Sequence, residues 1–346
     1  MSNPCASLTF PTCDSGDVGT CIDAAVAAFM KQVPSVPGVV VSAQSDGETL
    51  FTRGYGAATI GGTAPTDCTS FQIDSLTKVF TAFSVLRLYE QGTIQNVTDP
   101  IGNYMSGLPD AWNPIQINQL LAMVSGIPDS GSATRPYKES LARVAKLPLG
   151  FTPGSQYEYS NSNFFLLGEL VTTLAGDFMT YTRAQVLDVV DMPHTGLIPV
   201  DRATHPATPY ENGSAVPWRR PDCGYSGGGF ATNMHGLQRF AQGLANGVVL
   251  QPATYALMWT PYQLSDGSYG PFGLGWQVFD RPPGTLRAVT KNGGGYGWNT
   301  QLTYAPADAA AGTPALSACV LMNAAGCPMQ LAGEIIHIVA TSGVTV

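Results

Sequence analysis

The stretch of residues 71–92, FQIDSLTKVFTAFSVLRLYEQG, constrains the fold of this chain more than any other. Its apolar residues recur close to the spacing of one helix face, which predicts a helix preceded by a turn and a short buried strand end. Gly92 follows where a helix C-terminus favours glycine, because glycine adopts the left-handed conformation without strain. The apolar stripe consists of Leu76, Val79, Phe80, Phe83, Leu86 and Leu88.

Two polar residues at the start of this predicted helix carry the first chemical signal. Ser75 and Lys78 are three residues apart and so share a helix face. A serine hydroxyl becomes nucleophilic when a base takes its proton, and a lysine can be that base when burial or positive charge lowers its pKa. The alternative is an ordinary helix surface. Lys78 is one of five lysines and lies in an otherwise apolar helix. A charged residue is rarely buried there without a partner, which favours a functional role for Lys78.

The composition limits the classes of protein to which the chain can belong. The 346 residues are 44% hydrophobic and 12% charged, which is enough for one large domain or two interleaved ones. A net charge of −8 and a pI of about 4.9 argue against electrostatic binding of nucleic acid or an anionic membrane. No apolar run reaches the roughly 18 residues of a membrane-spanning helix, so no membrane span is expected. The oligomeric state stays open.

The seven cysteines bear on the compartment. Three of them lie in the first 21 residues, which predicts disulfide stapling of an N-terminal arm over residues 1–17 and favours a secreted or periplasmic protein. The first ten residues lack the basic and apolar regions of a signal peptide, so a cytoplasmic protein is the alternative to a mature chain with its signal removed. No cysteine or histidine has metal-ligand spacing, and no metal is expected.

Along the chain, strand and helix signals alternate in a way typical of an α/β (α+β) fold. Residues 18–32 predict an amphipathic helix, and residues 39–44 and 49–55 predict a hairpin of two strands. We expect a catalytic domain over residues 18–346, with an antiparallel sheet flanked by helices and an inserted helical region. Its α/β part would span 18–92 and 225–346, and its helical insertion 93–224. Further strands are predicted at 273–279, 286–290, 299–304 and 316–322, and a last helix at 328–341.

A second constellation is Tyr159-Ser-Asn161, which follows a Pro-Gly turn and precedes an apolar helix. In an extended segment the phenol and the amide, two residues apart, would both point into one cleft. A tyrosine near two lysines could have a depressed pKa and act as a base. The alternative is a core tyrosine with a satisfied hydroxyl. The same spacing recurs at Tyr210-Glu-Asn212, which we reject because no apolar helix follows that polar loop.

A third constellation begins at Lys291, after a predicted strand, and continues through Asn292, Gly293, Gly294 and further glycines. Glycines let a backbone approach a ligand closely. A lysine at a strand edge could hold a substrate carboxylate or influence the tyrosine. The alternative is a glycine-rich hairpin with a solvated lysine.

In order and rough spacing, these three motifs resemble those of the serine β-lactamase and penicillin-binding-protein superfamily, in particular its class C β-lactamase, DD-carboxypeptidase and family VIII esterase branch. The resemblance covers residues 30–340 and implies a β-lactamase/transpeptidase-like fold with no organic cofactor. By resemblance, Ser75 would be the acylated nucleophile, and Lys78 and Tyr159 would exchange its proton and protonate the leaving group.

The same resemblance gives roles to the binding residues. Asn161 would bind the substrate amide or hold Lys78, and Lys291 would contact a carboxylate or tune Tyr159. Gly293 and Gly294 would line the substrate site, with the N–H groups of Ser75 and Gly294 forming the oxyanion hole. Asn292 departs from the family pattern, since it replaces a hydroxyl residue that could touch a substrate carboxylate.

The function predicted from these residues is a serine hydrolase that forms an acyl-enzyme on a small ester, amide or lactam. Esterase, peptidase and lactamase activities would all use the same residues. An acyltransferase of natural-product type, or a non-catalytic binding domain on the same fold, is the alternative.

Overall fold

The computed structural model describes residues 4–13, 16–131, 135–279 and 288–342. Over these ranges six strands form one antiparallel sheet in the order β2-β1-β10-β9-β8-β7, and helices cover both of its faces. This confirms the predicted fold class.

The strands are β1 Gly38–Ser45, β2 Glu48–Gly56, β3 Phe71–Gln72, β4 Tyr210–Glu211, β5 Ser214–Ala215, β6 Ala231–Thr232, β7 Gln277–Phe279, β8 Ala288–Gly295, β9 Trp298–Ala305 and β10 Leu316–Met322. The α-helices are α1 Val18–Gln32, α2 Thr77–Glu90, α3 Ile117–Leu121, α4 Tyr137–Val144, α5 Asn161–Ala175, α6 Phe178–Thr182, α7 Pro221–Gly228, α8 Met234–Ala245, α9 Pro252–Met258 and α10 Pro328–Thr341.

Side-chain alternation along the central strands divides the core into two layers. Val39 and Val41 of β1 pack in the layer that contains α1 and α10, while Val40 packs in the layer that contains α2 and α8. Every residue of β1 and of β10 is buried, because helices cover both faces of these strands. The hairpin of β1 and β2 was predicted from the sequence and is confirmed.

Helix α2 runs through the interior, and eleven of its fourteen residues are buried. Phe80 and Phe83 both pack on Phe240 of α8, with ring centroids 4.8 and 5.3 Å apart. The helix predicted within residues 71–92 is therefore confirmed. Ser75 itself lies in a 3-10 turn, Asp74–Leu76, that precedes α2.

Two strand predictions near the C-terminal third need correction. The strand predicted at 273–279 is shorter than expected and covers only β7, residues 277–279. Gly275 has a φ of +88°, which bends the chain before β7 at the point where Gly275 packs against Ala82. The strand predicted to end at Thr290 continues to Gly295, so that Lys291 lies inside β8. Residues 286 and 287 of that prediction lie outside the described residues.

Two disulfides tie the N-terminal arm to the rest of the chain, as the stapling prediction requires. Cys13 pairs with Cys21 on α1, and Cys5 pairs with Cys327 at the start of α10. The remaining thiols are Cys68, Cys223 and Cys319. Among the described residues, no helix combines the length and the apolar character that crossing a membrane requires.

Candidate active site

The turn that carries Ser75 is fixed between a separate two-stranded sheet, formed by β3 and β6, and strand β8 of the main sheet. β3 pairs with β6, and the N–H of Ile73 donates to the carbonyl of Phe230 at 3.0 Å. On the other side the Ile73 carbonyl lies so close to Gly293 of β8 that a Cβ there would be 1.9 Å from it. Glycine at 293 is therefore required for the turn to rest against β8. The turn leaves Ser75 half-buried, at the wall of a cleft.

Lys78 is fully buried and lies next to the Ser75 hydroxyl. Its Nζ is 3.1 Å from Ser75 Oγ, 2.7 Å from Asn161 Oδ1 and 2.5 Å from the Gly227 carbonyl oxygen. Burial, and then the nearby Lys291, lower the pKa of Lys78 well below its usual range. A neutral amine has two hydrogens and one lone pair. With both hydrogens on Asn161 and Gly227, the lone pair is left for the serine proton.

Tyr159 contacts the same hydroxyl from the other side. Its phenol donates to Ser75 Oγ at 2.6 Å, and Lys78 Nζ and Lys291 Nζ lie 5.1 and 5.7 Å from its ring centroid. We predicted a depressed pKa for this tyrosine, and that was wrong. Desolvation raises the pKa of Tyr159 and outweighs the hydrogen bond with Ser75, which lowers it. A neutral phenol in this place is a proton donor.

Asn161 is the first residue of α5, and its side chain has a fixed orientation. The Asp129 carboxylate accepts hydrogen bonds from the Asn161 backbone N–H at 2.8 Å and from its Nδ2 at 3.2 Å. The amide oxygen is thereby directed at Lys78. Sequence reasoning missed Asp129. Its position in the sequence is the signal that could have found it. An acidic residue just after a glycine-proline turn can accept hydrogen bonds from the N-terminus of a helix.

Lys291 is not solvated, and that alternative was wrong, because the residue is 1% exposed. It pairs with Leu302 of β9 on one side. On the other side the pairing of β8 with β7 ends one residue earlier, at Thr290, so that in the described part of the chain Lys291 lies at a strand edge, as predicted. Its Nζ donates to the Asn292 carbonyl at 2.7 Å and lies 3.3 Å from Asn292 Oδ1. Burial lowers the pKa of Lys291 to about 7. Lys291 can therefore change its charge near neutral pH, close to Tyr159.

Part of this group opens onto a cleft of about 380 Å³, whereas Lys78, Tyr159, Lys291 and Gly293 are not among the residues that line it. Ser75, Asn161 and Gly294 line it together with three residues that sequence reasoning did not single out as functional, Asp129, Glu211 and Arg219. The rejected motif at Tyr210 belongs to the short β4–β5 hairpin, where the buried Tyr210 hydroxyl accepts from the N–H of Ile60. Only Glu211 of that motif reaches the cleft.

Comparison with known proteins agrees with this arrangement. The model of the Beta-lactamase family matches residues 22–339. A D-aminopeptidase of Gluconobacter oxydans (strain 621H) is 27% identical over 307 residues, which cover 81% of this chain and 55% of that protein. The chain thus spans about half the length of this curated relative.

Two solved structures share the fold. The octameric penicillin-binding protein homologue from Pyrococcus abyssi has a TM-score of 0.79 at 21% identity, covering 92% of this chain and 76% of that one. A D-alanine carboxypeptidase from Burkholderia cenocepacia has a TM-score of 0.76 at 21% identity, covering 94% and 99%.

Proposed function

The chain belongs to the β-lactamase family, and from that premise we propose that it is a serine hydrolase that forms an acyl-enzyme at Ser75 on a small ester or amide. One observation carries the proposal. Ser75 Oγ lies between a buried lysine amine at 3.1 Å and a tyrosine hydroxyl at 2.6 Å, in the wall of an open cleft. A nucleophile needs such a base within hydrogen-bonding distance.

Acylation begins with attack of Ser75 Oγ on the substrate carbonyl carbon, and the serine proton passes to the neutral amine of Lys78. The carbonyl electrons move onto the oxygen, which the backbone N–H groups of Ser75 and Gly294 stabilise. When this intermediate collapses, the bond to the leaving group breaks and Tyr159 protonates that group. Tyr159 is then a phenolate and Lys78 an ammonium, and transfer of the proton from Lys78 to the phenolate makes both residues neutral again.

Hydrolysis repeats these steps with water in place of serine. We assign the role of base to Lys78, because burial keeps the phenol of Tyr159 protonated. Water attacks the acyl carbon, its proton passes to Lys78, and Ser75 Oγ leaves with a proton from Tyr159. Charge and protons balance over the cycle without a metal or an organic cofactor.

The residues around the third motif favour ester and amide substrates over β-lactams. Lys291 Nζ contacts both oxygens of Asn292, and the Asn292 side chain has no hydroxyl to offer a substrate carboxylate. The D-aminopeptidase among the relatives makes D-amino acid amides a second substrate class to test. The two disulfides support a secreted or periplasmic location.

The test compares hydrolysis of p-nitrophenyl acetate, D-alanine p-nitroanilide and benzylpenicillin by the wild-type protein and by Ser75→Ala. We expect the ester or the anilide to be hydrolysed faster than the penicillin, and the variant to be inactive on all three. Fastest hydrolysis of penicillin would contradict the substrate assignment. Equal rates for the wild-type protein and Ser75→Ala would contradict the nucleophile.

A further inference from the structure

The residue before the nucleophile is a buried aspartate in a backbone conformation that few side chains adopt. Asp74 has a φ of +42° and is 1% exposed. Neither carboxylate oxygen has a hydrogen-bond partner among the described residues. A buried carboxylate without compensation is costly, so this position needs a cation.

Arg219 supplies that cation from the wall of the cleft. Its Nη2 lies 3.0 Å from Asp74 Oδ1, and its side chain is 10% exposed. The guanidinium also lies over the ring of Tyr296, 4.9 Å from its centroid. The ion pair therefore joins the turn that carries Ser75 to the segments of Arg219 and Tyr296, both of which line the cleft.

The backbone of Arg219 is fixed by a residue from the strand that leads to the nucleophile. Gln72 accepts the Arg219 N–H at 2.8 Å and donates its own amide to the Arg219 carbonyl at 2.7 Å. Gln72 in turn accepts from the indole N–H of Trp298 at 3.2 Å. With its backbone held in this way, Arg219 is placed to hold Asp74 rather than to sample the cleft.

The dihedral angles of Asp74 determine where the Ser75 N–H points, because the two residues share a peptide plane. We propose that Arg219 is a positioning residue, which holds the Asp74 carboxylate and through it the turn that directs the N–H and hydroxyl of Ser75 into the cleft. This inference rests on the proposed hydrolase function and adds a residue that acts on the nucleophile without touching substrate.

The ion pair also acts on the charge of Lys78. The charged groups that face Lys78 are Asp74, Arg219, Asp129 and Lys291. Arg219 lowers the pKa of Lys78 and Asp74 raises it, so that the two partners act in opposite directions. Removing one partner should shift the pH at which Lys78 becomes a neutral base, and the direction depends on which partner is lost.

The experiment measures the rate at which a fluorophosphonate probe phosphonylates Ser75, with loss of fluoride, between pH 5 and 9. The variants are Arg219→Met, Arg219→Lys, Asp74→Asn and the double variant Asp74→Asn/Arg219→Met. Arg220→Met is the matched control, because the neighbouring Arg220 pairs with Asp222 on the surface.

We expect Arg219→Met to lower the rate at least about tenfold, as misplaced reacting groups do, and to move the rising limb of the profile to higher pH. Asp74→Asn should move that limb to lower pH, and the double variant should return it close to the wild-type position. Arg219→Lys should restore the pH midpoint but only part of the rate, because an ammonium lacks the guanidinium fork. Arg220→Met should match the wild-type protein.

The proposal is overturned if Arg219→Met keeps the wild-type rate and profile, or if both single variants shift the profile in the same direction. A thermal melt gives a readout that does not depend on activity. Arg219→Met should melt below the double variant, because it leaves a buried carboxylate without its cation. A melting temperature of Arg219→Met equal to or above that of the double variant contradicts the ion pair. If wild-type Ser75 fails to react with the probe, the hydrolase function fails, while the melts still test the pair.

Discussion

The amine of Lys78 lies 3.1 Å from the hydroxyl of Ser75, inside a helix whose surroundings direct the amine's own hydrogens elsewhere. Asn161 and Gly227 accept those hydrogens, and the absence of solvent around Lys78 favours its neutral form. This geometry is the reason why we propose the lysine as the base and the tyrosine on the other side of the hydroxyl as the acid.

Replacing Lys78 with arginine should abolish this base. A guanidinium stays protonated at any pH the protein tolerates and has no lone pair to accept the serine proton. We expect kcat/KM for ester hydrolysis to fall by about 10²–10⁴ in Lys78→Arg, the range for loss of a general base. Steady-state kinetics with p-nitrophenyl acetate provide the measurement. A decrease of less than about tenfold would show that another group takes the proton.

Replacing Lys291 with methionine should stabilise the protein at neutral pH. The pKa of Lys291 is lowered to about 7 in the folded chain, against about 10.4 for an unfolded lysine. Because the unfolded state binds the extra proton, the contribution of Lys291 to stability is fully present above about pH 10.4 and is lost as pH falls toward 7.

Melting curves of the wild-type protein and Lys291→Met between pH 6 and 10 would check this. The variant should melt at the higher temperature near pH 6, and the difference should narrow as the pH rises. Lys138→Met, a substitution at an exposed lysine, is the control and should show no such trend. A difference that widens with pH would mean that Lys291 is charged and stabilised by groups around it.

Asp129 should act on catalysis through Asn161. Asp129→Ala removes the acceptor of both Asn161 hydrogen bonds and leaves the amide free to rotate away from Lys78. It also removes a negative charge that raises the pKa of Lys78, so the pH profile should move to lower pH. We expect kcat to fall about tenfold, a modest misplacement effect. Asp129→Asn keeps an acceptor oxygen and should retain more activity than Asp129→Ala, and the reverse order would contradict the role.

The two disulfides should contribute unequally to stability. The Cys5–Cys327 bridge closes a loop of 322 residues, whereas Cys13–Cys21 closes one of 8. Loop-closure entropy grows with length, and typical bridges contribute about 2–4 kcal/mol. Cys5→Ser/Cys327→Ser should therefore lower the melting temperature more than Cys13→Ser/Cys21→Ser. A reducing agent breaks both bridges, so it should bring the wild-type protein to or below the melting temperature of the less stable variant. Equal melting temperatures of the two variants without reductant would contradict the dependence on loop length.

Local patterns in the sequence were sufficient for much of the fold. The apolar stripe of residues 71–92 predicted α2, and the strand patterns at 39–44 and 49–55 predicted the hairpin of β1 and β2. The resemblance of the three motifs to a family pattern predicted that Ser75, Lys78 and Tyr159 share one site. The structure places all three within one hydrogen-bonded group.

What the sequence did not reveal depends on contacts between distant parts of the chain. The burial of Lys291 depends on residues far away in the sequence, such as Tyr159 and Phe272, whose ring centroids lie 5.7 and 6.0 Å from its Nζ. The direction of the Tyr159 pKa shift depends on desolvation, which needs the folded surroundings. The Asp74–Arg219 pair joins the turn that carries Ser75 to the segment between β5 and α7, and no spacing rule connects them. The division into an α/β part and a helical insertion stays a prediction.

The central claim is that Ser75 is acylated, and intact-mass spectrometry of the protein mixed with p-nitrophenyl acetate and quenched with acid tests it most directly. We predict that the mass of the wild-type protein rises by one acetyl group, which digestion locates to the peptide that contains Ser75, and that the mass of Ser75→Ala does not change. An unmodified wild-type protein under conditions where the ester is turned over, or equal labelling of the alanine variant, would contradict the account.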